Sequence, residues 1–186
     1  MDVQYNSEKK IVCEILQNSF INNKSVDYVL KGGLKVTEQR NHLIEYSYSF
    51  CKRFGQVYIE DNACALVIFP EKIHKRLFDY YHDLKFIFKS VGLKKLSLLL
   101  KREKIIKGKR GKNENSLYIW FIGVNTKFQG KGIGSSLLQR IIKEYPNKTI
   151  YLETSSKRNL SFYSRNGFLQ YNQHSFSYLL YFLRKN

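Results

Sequence analysis

The chain has 186 residues, 43% of them hydrophobic and 15% aromatic, which is enough for one domain with a sizeable core and a squeeze for two. Its 32 lysines and arginines against 15 acidic residues give a net charge of +17, which favours a polyanionic partner: nucleic acid, an anionic membrane surface or a phosphorylated cofactor. Three cysteines, Cys13, Cys51 and Cys64, are an odd number at unrelated spacings, which argues against a disulfide framework and against a zinc site.

The charge also has a bland reading, because Lys, Asn, Ile, Tyr and Phe are abundant together, as an AT-biased genome would make them. Only two prolines and no Ser/Gly linker interrupt the chain, so residues 1–186 read as a single domain. The stretch Met1 to Lys10 lacks an apolar leader core, and no uncharged run approaches the length of a membrane span. The expected location is cytoplasmic, with no membrane partner.

In chain order, residues 7–31 read as one or two short helices, with Ser7 a candidate N-cap and Ile11, Ile15 and Phe20 among the apolar positions. Thr37-Glu-Gln-Arg opens a longer helix that runs to Phe54 and is closed by Gly55. Gln56 to Phe69 alternates around Asp61-Asn62, which predicts a hairpin whose second strand ends at Pro70. From Lys72 to about Lys109 the pattern is helical, with Leu77, Tyr81, Leu84 and Phe88 on one face and a break at Gly92. The tail of this segment, residues 101–112, is the densest positive run. It either steers a phosphate-bearing ligand or nucleic acid, or is a solvated helix end and loop. A strand over 117–124, a helix over 132–145, a strand over 149–154, a short helix over 157–166 and two strands between Leu169 and Arg184 complete the chain. Strands alternating with helices predict an α/β (α+β) fold with a mixed, partly parallel sheet flanked by helices.

The stretch Gln129-Gly-Lys-Gly-Ile-Gly-Ser135 stands where the 117–124 strand turns into the following helix. It is not a P-loop, because Lys131 is followed by Gly132, and not a dinucleotide fingerprint, because Gly130, Gly132 and Gly134 alternate strictly. Glycines at a helix start leave the first amide N–H groups unshielded beside the positive end of the helix dipole, which suits a diphosphate. A turn that only lets the helix pack closely on the strand accounts for the glycines equally well.

The order strand, Gln129-x-x-Gly132-x-Gly134, helix, strand, then Asn159, Tyr163 and Gly167-Phe168, resembles the GNAT superfamily of acyl-CoA-dependent N-acetyltransferases. Residues 151–168 are similar almost position for position to the puromycin N-acetyltransferase group, and 117–134 match the same group, with a fainter echo at 63–71. The good match covers roughly a third of the chain, a share that leaves the N-terminal third and residues 72–115 outside it. The resemblance implies a GNAT-like sheet with a helical insertion before the cofactor-binding strand, and acetyl-CoA as cofactor. In that family the strand before the glycines parts from its neighbour and the pantetheine arm lies in the gap. Ile122 and Val124 would then supply backbone groups to it, and the N–H groups of Gln129, Gly130, Lys131, Gly132, Ile133, Gly134 and Ser135 would hold the diphosphate. Asn159 would reach the cofactor arm, or else only settle the helix start.

The same resemblance makes Tyr163 the group that serves the departing thiolate, against the alternative of an aromatic filling the core beneath Gly167-Phe168. The 117–124 strand contains no acid, so Glu153 is the best general base: alternation puts Tyr151, Glu153 and Ser155 on one face where the strands should part. A carboxylate paired with Lys or Arg is the alternative for Glu153, and water could carry the proton. The reaction implied is acetyl transfer to a primary amine of a small molecule by direct attack in a ternary complex. Two competing readings are a basic nucleic-acid-binding protein and a non-catalytic acetyl-CoA-binding relative; a homodimer stays open. The sequence has no nucleic-acid-binding motif and its charge is scattered, which disfavours the nucleic-acid reading.

Overall fold

A computed structural model describes residues 2–110 and 115–186. Helices α1 (Asp2–Ser19), α2 (Lys24–Val29) and α3 (Val36–Phe54) come first. No proline or glycine interrupts Asp2 to Ser19, so α1 starts earlier than expected and Ser7 lies inside it rather than capping it. The cap that does form is at α2, where the Asn23 side chain accepts from the N–H groups of Ser25 and Val26. The long helix ends as read: Phe54 is its last residue and Gly55 opens β1 (Gly55–Glu60) directly.

Strand β2 (Ala63–Ile68) is apolar at every position and buried at every position, as a central strand must be. It pairs antiparallel with β1 through the Asp61-Asn62 turn, and with β3 (Ser116–Val124) on its other side. Between β2 and β3 lies the expected helical insertion: α4 (Leu77–Phe86), a π-helical stretch Ile87–Val91, a break at Gly92 with φ +73°, and α5 (Leu93–Arg110). After β3 come α6 (Ile133–Glu144), β4 (Thr149–Thr154), α7 (Asn159–Arg165), β5 (Leu169–Ser175) and β6 (Leu179–Lys185). The six strands are ordered β1-β2-β3-β4-β6-β5. One pair, β3 with β4, is parallel and the rest are antiparallel, so the sheet is mixed.

Alternation along the strands sends side chains to two cores. Cys64, Leu66 and Ile68 of β2 pack under α1 to α3, with Val12, Leu16, Leu43, Ile44 and Tyr48. Ala63, Ala65 and Val67 face the other way, against Leu137, Leu138 and Ile141 of α6, each of which is fully buried and worth about 1.5–3 kcal/mol. A third cluster seats Ile106 of α5 on Leu180 and Phe182 of β6.

One face departs from expectation. Leu77, Tyr81, Leu84 and Phe88 line up as read, but they point outward, with Leu77 90% exposed. The buried side of α4 is held instead by Asp79, whose carboxylate caps the helix by accepting from the Arg76 N–H and pairs with Arg53. A helix can be anchored by its cap and an ion pair as well as by its apolar face, and periodicity alone does not say which.

Gly55 is where α3 turns into the sheet, and a Cβ there would sit 1.8 Å from the backbone oxygen of Val67. Backbone cannot step aside as a side chain can, so Gly55→Ala should cost at least ~3 kcal/mol and lower the melting temperature by roughly 6 °C or more, read by thermal denaturation.

Candidate active site

The parallel pairing of β3 and β4 runs from Ser116 opposite Thr149 to Ile119 opposite Leu152 and then stops. Its end coincides with a bulge: Val67 faces Ile119 and Leu66 faces Phe121, so Trp120 is an extra residue in β3. An extra residue bends the strand that carries it. Beyond the bulge β3 stays with β2 and leaves β4, opening a cavity of about 1090 Å³. Its floor is Tyr118 to Ile122 on one strand and Leu152 to Thr154 on the other, and α2, α3 and α5 wall it.

The hydrogen-bond alternation of an antiparallel ladder fixes which backbone groups face this gap. The N–H of Asn125 donates to the carbonyl of Asn62 at 2.8 Å, which makes that a hydrogen-bonded pair. The pairs Val124 with Ala63 and Ile122 with Ala65 are then the non-bonded kind, so the N–H and C=O of Val124 and Ile122 point away from β2 and into the gap. The Val124 carbonyl is already taken, accepting from Ser19 Oγ at 2.8 Å and from Gln129 Nε2 at 3.1 Å.

At the end of β3 the chain makes a short 3₁₀ turn, Thr126–Phe128, and enters the glycine stretch. Gly130 and Gly132 have φ of +81° and +84°, a conformation that disfavours side chains, and a Cβ at either would have nothing within 4 Å. The bend is therefore open on its outer side. Gly134 differs: a Cβ there would lie 3.1 Å from Val124 Cγ2, so this glycine lets α6 approach the strand. Both readings of the glycines hold, at different positions. The N–H groups of Ile133, Gly134 and Ser135 form the first turn of α6 and have no intrahelical acceptor. Lys131 is exposed, with its ammonium 5.1 Å from the Phe128 ring centre, and Ser135 Oγ accepts from Asn166 Nδ2 at 3.2 Å.

Glu153 is the first residue of β4 past the last pair with β3, on the same face as Tyr118. Its Oε2 accepts from the Tyr118 hydroxyl at 2.5 Å, while its Oε1 is buried with no hydrogen-bond partner. Burial raises its carboxyl above the ordinary carboxylate range, although the Arg110 guanidinium and the Tyr118 hydroxyl pull the other way. No carboxylate–cation contact within salt-bridge distance is formed by Glu153 among the described residues, where the sequence left an ion pair open.

Tyr163 of α7 also reaches the cavity, its ring buried beside Phe168 at 6.0 Å and Phe162 at 5.0 Å. It thus fills the core beneath the Gly167-Phe168 turn and lines the gap at once. Burial pushes its phenol well above the usual value. Asn159 is exposed at the start of α7, and its Nδ2 lies 3.5 Å from Thr154 Oγ1.

The sequence reading missed Tyr118, Trp120, Arg102 and Arg110, all of which line the same cavity. Alternation along β3 signalled Tyr118 as sharing a sheet face with Glu153; the two arginines belong to α5, whose place over the sheet no local pattern reveals. Arg102, within the basic run, is tied in by Tyr178 at 3.1 Å, Ser25 at 2.8 Å and Glu103 at 3.0 Å, so this position fits neither a solvated helix end nor a free steering charge. The outer residues of the run, Lys101, Lys104, Lys107 and Lys109, are exposed, and residues 111 and 112 lie outside those described. Among the described residues no group of His, Cys, Asp and Glu could hold a metal ion, and no helix is long and apolar enough to cross a membrane.

Residues 96–168 match the acetyltransferase (GNAT) family. No curated protein matches the chain. Among solved structures, histone acetyltransferase HPA2 and related acetyltransferase from Corynebacterium glutamicum is 16% identical, with 96% of this chain and 91% of that chain covered and a TM-score of 0.70. An N-acetyltransferase from Staphylococcus aureus Mu50 is 14% identical over 96% and 95% of the two chains, with a TM-score of 0.56. A mosquito arylalkylamine N-acetyltransferase like 5b is 15% identical over 96% and 95%, with a TM-score of 0.52. At these identities the structural likeness establishes the fold. The family match over the strand, glycine turn and α7 supports an acyltransferase enzyme.

The raised carboxyl of Glu153 has a consequence for stability. A carboxyl that holds its proton more tightly in the folded than in the unfolded chain favours folding below its unfolded value, near 4.3, and that advantage is lost as pH rises through the folded value. Glu153→Gln removes the ionisation. The variant should match the wild type at pH 4 and melt higher than it at pH 7, measured as the difference between the two melting curves across pH.

Proposed function

We propose that the protein is an N-acetyltransferase that moves an acetyl group from acetyl-CoA to the primary amine of a small molecule, by direct attack in a ternary complex. The observation that carries this reading is the gap between β3 and β4, which has Glu153 where the two strands part and an open glycine bend at its far end.

The residues present fit acetyl-CoA. The bend at Gly130 and Gly132 leaves room for a diphosphate against the N–H groups of Gln129 to Ser135, with the α6 dipole and Lys131 adding positive potential. Ile122 offers both backbone groups to the pantetheine arm, and Val124 offers its N–H, placed to polarise a carbonyl in the gap. Asn159 flanks the arm from α7. Bound acetyl-CoA supplies an acetyl group activated as a thioester.

Glu153 takes the proton that the amine loses as its nitrogen bonds to the acetyl carbon, directly or through one water. Tyr163 serves the sulfur as the carbon–sulfur bond breaks. A phenol raised by burial is a poor proton donor to a thiolate whose ordinary value is near 8.5, so Tyr163 acts through a strong hydrogen bond more than through full transfer. A raised carboxyl suits Glu153 to the base role, because a base nearer neutrality accepts a proton more readily.

Saturating acetyl-CoA should raise the melting temperature; at a hundredfold excess over Kd the gain is about 2.7 kcal/mol. Gly132→Glu places a carboxylate in the diphosphate cradle and should abolish that shift, whereas no shift in the wild type at millimolar acetyl-CoA would refute the assignment. In a thiol-release assay over a panel of amines, Tyr163→Phe should lower kcat by ~10²–10³-fold and leave the acetyl-CoA melting shift in place.

A further inference from the structure

The charges lining the cavity can be matched one against another. Four acids face it: Glu71, Asp83, Glu103 and Glu153. Glu71 pairs with Lys148 at 3.0 Å, Asp83 with Lys75 and the Tyr46 hydroxyl, and Glu103 with Arg102 at 3.0 Å. Glu153 is held only by the Tyr118 hydroxyl, and its second oxygen is unmatched. Among the cations of the lining, Lys75 and Arg102 are used in these pairs, and Lys107 is exposed. Arg110 remains. It is half-buried, has no carboxylate partner among the described residues, and sits over the Tyr118 ring, its guanidinium carbon 4.0 Å from the ring centre.

After internal pairing the cavity therefore keeps one unmatched carboxylate oxygen and one half-buried guanidinium, and they flank the same tyrosine: Arg110 on its face, Glu153 at its hydroxyl. A guanidinium presents a fork of donors that matches a carboxylate in two bonds, and stacking on an aromatic ring pre-orders it. The remaining wall is apolar, with Leu43, Leu96 and Leu99 beside an aromatic group in which Trp120 is edge-on to Phe50 at 5.6 Å and Tyr46 is stacked on Phe86 at 4.4 Å. A ligand with a single positive charge would answer Glu153 and leave Arg110 unsatisfied.

We propose that the acceptor is an amino-acid-type zwitterion, a primary amine that carries a carboxylate and an aromatic side chain, with its amine at Glu153, its carboxylate on Arg110 and its ring against Trp120. The proposal rests on the acetyltransferase reading for the reaction, but the binding site it describes can be tested without it. Arg110 is then the specificity-determining residue of the pocket. It sits at the last position of α5, so replacing it disturbs little of the core.

The test compares acceptors that differ only in the carboxylate: L-phenylalanine with 2-phenylethylamine, and L-tyrosine with tyramine. With the full chain and acetyl-CoA, thiol release should show kcat/KM at least tenfold higher for each amino acid. Arg110→Gln should lower kcat/KM for the amino acids by ~10–100-fold more than for the matching amines, on which it acts only through its charge near Glu153, and Arg110→Lys should recover part of the loss. Trp120 is the chain's single tryptophan and lines the cavity, so its fluorescence reads binding of the same four compounds with no acetyl-CoA present. Quenching by the amino acids at lower concentration than by the amines, lost in Arg110→Gln, supports the site. Preference of the wild type for the amines, equal loss on both in Arg110→Gln, preference for O-phosphoethanolamine, or no quenching by any of the four overturns it. Discriminating quenching without any thiol release or acetyl-CoA melting shift would retain the binding site and refute the reaction.

Discussion

The separation of β3 from β4 after the Ile119–Leu152 pair is the constraint on which the rest depends. A buried backbone group without a partner costs on the order of 1–3 kcal/mol, so a sheet does not part in its middle unless something holds it open. Here the bulge at Trp120 bends β3, β2 keeps hold of it, and Ser19 and Gln129 occupy the Val124 carbonyl that β4 has abandoned. The same parting leaves Glu153 free of a β3 neighbour and delivers the chain to the glycine bend at the far end of the gap. A ligand arm that pairs with Ile122 and Val124 would supply the bonds that β4 no longer makes.

A net charge of +17 suggests a surface made for polyanions, yet the cavity is built on matched charges. Three of its four acids are taken by Lys148, Lys75 and Arg102, so the field inside is set by what is left over rather than by the total. Helix α5 shows how one segment serves both: Lys101, Lys104, Lys107 and Lys109 face solvent, while Arg102 turns inward to Tyr178 and Ser25 and Ile106 seats the helix on β6. Long basic side chains allow this division, because their stems pack while their heads seek the nearest acceptor.

The second half of the chain was legible because its signals are local. Residues 149–154 alternate and form β4 to the residue, and the apolar positions Leu137, Leu138 and Ile141 announce α6 by their spacing. The glycine turn could be placed for the same reason, since it is a property of seven consecutive residues. What stayed hidden depends on contacts between distant segments. Leu77, Tyr81, Leu84 and Phe88 form an apolar stripe that periodicity assigns to a core, but the cap and ion pair of Asp79 hold α4 with that stripe outward. Glu153 could be suspected from strand alternation. That Tyr118 would hold one of its oxygens and that Arg110 would lie across Tyr118 from α5 required the fold.

The three cysteines acquire a meaning from their surroundings. Cys13, Cys51 and Cys64 are all buried and free, and burial pushes the Cys13 thiol up to about 11 and the other two higher still. The reactive species of a cysteine is its thiolate, so at neutral pH these sulfurs are nearly inert toward peroxides, alkylating reagents and disulfide exchange. Oxidation at any of the three therefore needs the core around it to open first, so thiol chemistry at these positions reports local unfolding.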